Sequence, residues 1–194
     1  MYPTRYTNIS KRMFLETDVT PAAIILFIPE DGYHDQPEMY PDGYIPNLKA
    51  HAETAKDVLY IPAEDVGVNW GLNFKRPTAQ HFEEINNFLK KNADNPILAV
   101  CDAGVSRSGF VTFFLDVKND RLDGVSYSPD YTGFDPHFIR RSTEHGTFYH
   151  TNPALTKFML ESDVLTTKER KALAEIAKNT EKDDSDITDS EWFI

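Results

Sequence analysis

The sequence predicts a single α/β domain with a central, mostly parallel β-sheet flanked by helices. Three short apolar segments have the length and composition of buried strands, and they cover residues 22–28, 58–61 and 97–101. Segments with helical periodicity separate and follow these strands, an alternation that is typical of parallel sheets. The chain has 194 residues, 40% of them hydrophobic, which is enough for one domain with a substantial core.

The helices are predicted from apolar periodicity and from the residues that cap their ends. Thr78 is a typical N-cap, Asn152 followed by Pro153 is a typical helix start, and Thr166 with Glu169 forms a capping-box pattern. Right-handed crossovers would place the carboxyl ends of all the strands at one edge of the sheet. The predicted helices cover residues 47–56, 78–91 and 107–117, with two more that start at 152–153 and at 166 and the last ending near 178.

The remaining segments are rich in Gly, Pro and Asp, which is typical of loops. We expect loops at residues 30–46 and 63–77, and a long segment, 120–151, that loops over the domain. The predicted domain spans residues 1–180, and an acidic tail follows at 181–194.

Composition narrows the class of function. The chain has 20 basic and 31 acidic residues and a net charge of −11, which argues against general binding to nucleic acid. It has no apolar run of about 18 residues, and residues 1–16 lack the apolar core of a secretory signal, so no membrane association and a cytoplasmic location are expected. Cys101 is the only cysteine, which excludes an intrachain disulfide and a multi-cysteine zinc site.

The segment from Cys101 to Ser108 carries the strongest chemical signal. It joins a predicted buried strand to a predicted buried helix, and Gly104 allows the backbone to bend sharply there. Backbone N–H groups in such a loop converge and bind an anion, and Arg107 in the first helical turn can hold two phosphate oxygens. The residues predicted to bind phosphate are Asp102, Ala103, Gly104, Val105, Ser106 and Arg107.

The same surroundings favour a reactive cysteine. An ordinary thiol, with a pKa of about 8.5, is only about 3% thiolate at pH 7, and a helix N-terminus with a nearby arginine increases that fraction. The Cys101 thiolate would attack phosphorus and form a phosphocysteine, which water then hydrolyses. Ser108 can donate a hydrogen bond to the departing thiolate in the second step. The alternative is an inert, buried cysteine beside a surface arginine.

The pattern Cys-x5-Arg-Ser, with glycine at its fourth position, resembles the signature of the protein tyrosine and dual-specificity phosphatase superfamily. The run from Ala103 to Ser108 is most similar to the compact dual-specificity branch and its bacterial and phage-type relatives. The resemblance covers residues 22–117 and, more loosely, 152–176. It implies hydrolysis of a phosphorylated protein or another phosphomonoester, without a metal or other cofactor. The family usually has histidine before the cysteine, where this chain has Val100.

The resemblance also implies a general acid, an aspartate from a separate upstream loop. Asp65 follows the second predicted strand and would reach the same edge of the sheet as Cys101, with Glu64 as the alternative. Asp57 and Asp94 precede strands; five strand residues span about 16 Å, which places these two carboxylates too far away. Asp102 is expected to point outward, because a carboxylate aimed into the loop would repel both thiolate and phosphate.

Other functions of the same motif stay open. Relatives of this family act on RNA 5′ triphosphates, phosphoinositides or nucleotides, and the net charge of −11 disfavours the RNA substrate. A non-catalytic phosphate-binding module is a further alternative, which Val100 motivates.

Several weaker signals have bland interpretations as well as functional ones. Arg140 and Arg141 could bind a second phosphate or form a solvated pair, and Asn152 is interpreted as a helix cap. Histidines 137, 145 and 150 lack the spacing of a metal site, so none is predicted. Aromatic residues in the two loops could line a substrate cleft or pack against the core, and they are Tyr33, Tyr40, Tyr44, Trp70 and Phe74.

Overall fold

The computed structural model describes residues 1–28, 43–63, 76–128, 137–140 and 149–183. It confirms an α/β architecture with a parallel sheet flanked by helices. The main sheet has the strand order β1-β4-β2-β3, and all its neighbouring strands are parallel. Its strands are β1 (Tyr6–Ser10), β2 (Ala23–Phe27), β3 (Asp57–Ile61) and β4 (Ile97–Cys101).

Helices cover both faces of this sheet. Two helices contribute Phe14, Leu48 and Ala52 to the core on one face, while the other four described helices pack on the opposite face. None of the helices in the described ranges is long and apolar enough to cross a membrane. The helices are α1 (Lys11–Leu15), α2 (Tyr44–Ala52), α3 (Ala79–Lys91), α4 (Arg107–Lys118), α5 (Pro153–Glu161) and α6 (Thr167–Asp183).

The predicted caps are confirmed at three helix starts. The Thr78 hydroxyl accepts from the His81 N–H, and the Asn152 side chain accepts from the Leu155 N–H. Thr166 and Glu169 form the reciprocal capping box that opens α6. These side chains accept from N–H groups that have no partner within the first turn of the helix, which fixes where each helix begins.

Two helix boundaries differ from the prediction. Helix α2 begins at Tyr44, three residues earlier than predicted, directly after Gly43 in a left-handed conformation with φ +85°. It ends at Ala52. Pro46 suggested a loop, but proline is tolerated in the first helical turn, where its missing N–H is not needed. Helix α6 continues to Asp183, beyond the predicted end near residue 178 and into the predicted tail.

Strand β1 is absent from the prediction. It lies at the edge of the main sheet, pairs only with β4, and has a mixed polar sequence. Two of its polar side chains bond to α4: Tyr6 donates to Asp116, and Asn8 accepts from the Thr112 hydroxyl. Because these partners are about a hundred residues away in the chain, no local pattern identified the strand.

The prediction that residues 120–151 only loop over the domain is wrong for the described part. Three short strands, β5 (Val125–Ser128), β6 (His137–Arg140) and β7 (Tyr149–His150), form an antiparallel sheet in the order β5-β6-β7. This second sheet packs against α4. Phe138 stacks on Phe113 with ring centroids 4.7 Å apart, and Gly109 lies against Tyr149 so closely that a Cβ would come within 2.7 Å of it.

The register of the main sheet brings the relevant strand ends to one edge. Ser10, the last residue of β1, pairs with Cys101, the last residue of β4. Cys101 faces the side of the sheet that carries α3 and α4, whereas Val100 faces α1 and α2. The carboxyl end of β3 reaches the same edge, where ligands of parallel sheets usually bind.

Candidate active site

The segment from Cys101 to Ser108, which we call the cysteine loop, joins β4 to α4. Cys101 and Ser108 are both fully buried, and the Cys101 Sγ lies 3.0 Å from the Ser108 Oγ. A hydroxyl at this distance can donate a hydrogen bond to a thiolate. The sequence-based pairing of these two residues is therefore matched by direct contact between their reactive atoms.

Gly104 lets the cysteine loop pass against the end of β1. Its φ is +73°, and a Cβ at this position would lie 2.5 Å from the backbone of both Ile9 and Ser10. The Gly104 carbonyl also accepts a hydrogen bond of 2.6 Å from the Asn8 side chain. Any side chain here would therefore collide with the backbone of β1, so the position requires glycine.

Three consecutive carbonyls of the cysteine loop are bound by groups outside it. The Gly104 carbonyl accepts from Asn8, the Val105 carbonyl from the His150 N–H at 3.2 Å, and the Ser106 carbonyl from the Asn152 N–H at 3.2 Å. In a trans peptide unit the C=O of one residue and the N–H of the next point in opposite directions. Each N–H group of residues 105–107 therefore points away from the partner of the carbonyl that precedes it.

Arg107 connects the cysteine loop to the end of β3. Its side chain is fully buried, and Nη1 donates a 2.6 Å hydrogen bond to the Ala63 carbonyl. Nη2 forms an ion pair with the Asp102 carboxylate. These two contacts at Nη1 and Nη2 fix the orientation of the planar fork.

Asp102 does not point outward as the sequence suggested. Its carboxylate bridges two cations: one oxygen pairs with Arg107, and the other lies 2.6 Å from the Lys11 Nζ. The Asp102 side chain is still 27% exposed, while that of Lys11 is 2% exposed. These two positive partners explain why a carboxylate is tolerated within the loop. The sequence-based expectation considered only repulsion by the thiolate and phosphate.

Lys11 is the site residue that the sequence argument missed. It is the first residue of α1 and follows directly on β1, so it stands at the same sheet edge as Cys101. Burial lowers the pKa of Lys11, and the Asp102 carboxylate opposes this shift. Only recognition of β1 as a parallel neighbour of β4 could have placed this lysine at the site.

Tyr44 lies at the same edge. Burial raises the pKa of its hydroxyl, and the negative charge of Asp102 adds to the effect. Tyr44 is only partly exposed and packs against the apolar cluster under α1 and α2. The contact with this cluster agrees with the interpretation of Tyr44 as a residue that packs against the core, and its role as a wall of a substrate cleft stays a prediction.

The predicted general acid, Asp65, follows β3 closely in the sequence. Asp65 and Glu64 lie outside the described residues, which stop at Ala63 on this side of the gap. Ala63 itself accepts a hydrogen bond from Arg107, so the chain enters the predicted acid loop next to the cysteine loop. Asp57 lies at the opposite end of β3, far from the cysteine loop as the sequence predicted, and there it bonds to Asn92 and Lys91.

Val100 occupies the position where the family usually has histidine. It is fully buried in the apolar cluster with Leu26 and Leu98 on the sheet face away from α4. Its side chain has no hydrogen-bonding group, so it supports the cysteine loop by packing alone.

Arg140 is not a solvated or substrate-binding arginine. It is buried, pairs with Asp116 at 2.9 Å, and donates to backbone carbonyls of residues 121 and 123. The described residues contain no group of side chains that could hold a metal ion. The remaining sequence-based candidates outside the described residues are Tyr33, Tyr40, Trp70, Phe74, Arg141, His145 and the tail from 184 onward.

Comparison with the models of known protein families gives no match, and no similar sequence is found among the curated proteins. The case for a function therefore depends on the chemistry of this site.

Proposed function

We propose that the chain is a cysteine-dependent phosphomonoester hydrolase, of the protein tyrosine or dual-specificity phosphatase class that its motif resembles. One observation supports the proposal: the carbonyls of residues 104–106 accept hydrogen bonds from Asn8, His150 and Asn152 outside the loop, so each following N–H group points away from the partner of the carbonyl before it. A tight loop with inward N–H groups at a helix start is a binding site for a phosphoryl group. Cys101 is the first residue of this loop, and Arg107 lies near its end.

The reaction would run in two steps. The Cys101 thiolate attacks phosphorus, the P–O bond to the leaving group breaks, and Arg107 with the backbone N–H groups holds the phosphoryl oxygens. Water then attacks the phosphocysteine, which releases inorganic phosphate and regenerates the thiolate. The Ser108 hydroxyl, 3.0 Å from Sγ, stabilises that thiolate as it leaves.

The leaving group needs a proton in the first step, and we assign this role to Asp65. Its neighbour two residues earlier, Ala63, accepts from Arg107, and two residues span at most about 7 Å. The link between Ala63 and Arg107 supports this assignment. Replacing Asp65 by Asn would slow hydrolysis of alkyl phosphates, whose leaving groups need protonation, far more than that of p-nitrophenyl phosphate.

A phosphorylated protein is the substrate class that the resemblance suggests. Phosphoinositides, nucleotides and RNA 5′ ends remain possible substrates for the same chemistry, and the net charge of −11 disfavours RNA. No membrane partner is expected, and the expected cytoplasmic location stays a prediction.

A second candidate is a phosphate-binding module without catalysis. Two observations favour it: Val100 gives the loop no polar support, and Cys101 is fully buried. A module of this kind would still bind phosphate or a phosphopeptide through Arg107 and the loop N–H groups.

Hydrolysis of p-nitrophenyl phosphate from pH 5 to 8, in EDTA, tests the proposal. We expect activity in the intact protein and none in Cys101→Ser, which keeps the size of the side chain but removes the nucleophile. Phosphate or vanadate binding without hydrolysis would favour the non-catalytic module. A protein that neither hydrolyses nor binds phosphate would overturn both candidates.

A further inference from the structure

The cysteine loop contains an unusual charge arrangement. Asp102 places a carboxylate next to the predicted phosphoryl site, and a second anion there would be repelled. Lys11 and Arg107 each bind one oxygen of this carboxylate, and both cations are almost completely buried. Two positive side chains thus share one carboxylate, and removing the charge of Lys11 or of Asp102 changes the total charge of the cluster by one.

We propose that Lys11 is the counter-ion that makes Asp102 compatible with phosphate binding, so that the affinity of the loop for phosphate follows the net charge of this cluster. Lys11 thereby acts through Asp102 and is a positioning residue. This inference rests on the proposed function, because it concerns the same loop.

The position of Lys11 supports this role over that of a simple core lysine. Its stem enters from α1 directly after Ser10, and the backbone of Ile9 and Ser10 forms the wall against which Gly104 packs. The lysine and the loop are therefore parts of one rigid junction. Burial of an ammonium group is unfavourable unless a partner compensates it, and Asp102 at 2.6 Å is such a partner.

Four proteins separate the contributions of the charges. Lys11→Met lowers the net charge of the cluster by one, Asp102→Asn raises it by one, and the double variant restores the wild-type value. We expect Lys11→Met to weaken the binding of inorganic phosphate about tenfold, as for one charge near a partly buried site. We expect the double variant to recover most of this loss, and Asp102→Asn to bind at least as tightly as the wild type.

Isothermal titration with inorganic phosphate, well below the melting temperature of each variant, measures these affinities. Lys118→Met is the matched control, because Lys118 is also buried and paired, with Glu169 at 2.9 Å. It lies at the far end of α4, about 16 Å along the helix from Arg107. This control removes one lysine charge from the chain without touching the cluster, and we expect its phosphate affinity to equal that of the wild type.

Three results would overturn the inference. One is Lys11→Met with the phosphate affinity of the wild type, and another is a double variant that binds more weakly than Lys11→Met. The third is Asp102→Asn with weaker binding than the wild type. Because Asp102 is partly exposed, we expect this variant to fold, so this result stays informative even if Lys11→Met does not fold.

The proposed function fails in a different pattern. A wild-type protein that binds no phosphate overturns it, and the inference with it. If the wild type does not hydrolyse p-nitrophenyl phosphate but the variants show the expected order of phosphate affinities, the inference is supported. Only the catalytic step is then contradicted.

Discussion

Within the described residues, two clusters contain an arginine paired with an aspartate, one at each end of α4. Near the helix start, Asp102 binds Arg107 and Lys11, and its side chain is 27% exposed. Near the helix end, Asp116 binds Arg140 and is 3% exposed. The two clusters use the same chemistry but differ in their access to solvent and in their other partners.

The Asp116 cluster is closed. Both carboxylate oxygens accept hydrogen bonds, one from the Tyr6 hydroxyl and the other from Tyr149 and Arg140. It joins β1, α4 and the second sheet, so its function is to hold these elements together. The Asp102 cluster lies at the sheet edge beside a thiol and a tight loop. Burial of an ion pair alone therefore does not identify a site, whereas position at the carboxyl edge of the sheet does.

The largest effect is expected in the closed cluster. Arg140→Met leaves the buried Asp116 carboxylate without its cation, and loss of one partner of such a pair destabilises a protein by about 3–5 kcal/mol. Denaturant unfolding measures this change. The phosphate affinity of Arg140→Met at low temperature should equal that of the wild type. A loss of phosphate binding without a loss of stability would contradict the structural role that we assign to the Asp116 cluster.

Arg107→Lys addresses the open cluster. The charge remains, but the planar fork that can hold two phosphoryl oxygens is lost. We expect kcat/KM for p-nitrophenyl phosphate to fall about 10²- to 10³-fold, as when one donor to the transition state is removed. Activity within about tenfold of the wild type would show that the guanidinium does not hold the phosphoryl group.

Gly104→Ala tests whether the loop must lie against β1. The new methyl group would meet the backbone of Ile9 and Ser10 at 2.5 Å, in addition to the strain of positive φ. Such strain alone costs about 1–3 kcal/mol. We expect a loss of both stability and phosphate affinity.

Gly43→Ala provides the control for this variant. Gly43 also has positive φ, but nothing lies within 4 Å of the position of its Cβ. It should therefore lose stability through strain alone and keep its phosphate affinity. Equal effects of the two substitutions on phosphate affinity would contradict the role of the close contact.

The smallest effect is expected for Thr112→Val. The Thr112 hydroxyl donates to the Asn8 side chain at 3.1 Å, and Asn8 in turn donates to the Gly104 carbonyl. Losing one such hydrogen bond costs about 1 kcal/mol, and we expect about a fivefold decrease in kcat/KM. Steady-state kinetics of the variant with p-nitrophenyl phosphate measure this decrease. Unchanged kinetics would mean that Asn8 keeps its orientation without Thr112.

The sequence predicted the parts of this fold that depend on local pattern. The apolar strands 22–28, 58–61 and 97–101 and the caps at Thr78 and Asn152 were recognisable because neighbouring residues determine them. The Cys101–Ser108 motif was recognisable for the same reason.

What the sequence did not predict depends on contacts between distant segments. Strand β1 has polar side chains whose partners are on α4, and the short strands of the second sheet have too few residues for a periodic signal. Lys11 was missed because its role follows from the pairing of β1 with β4. Arg140 was interpreted as a possible ligand because its partner, Asp116, is 24 residues away.

The most direct test of the account is to identify the phosphorylated residue during turnover. The protein is mixed with p-nitrophenyl phosphate, denatured within milliseconds and digested, and its peptides are examined by mass spectrometry. The account predicts a phosphate on the peptide that contains Cys101, the only cysteine of the chain, and none in Cys101→Ser. Turnover without this phosphopeptide, or with phosphate on another residue, would contradict the proposed mechanism.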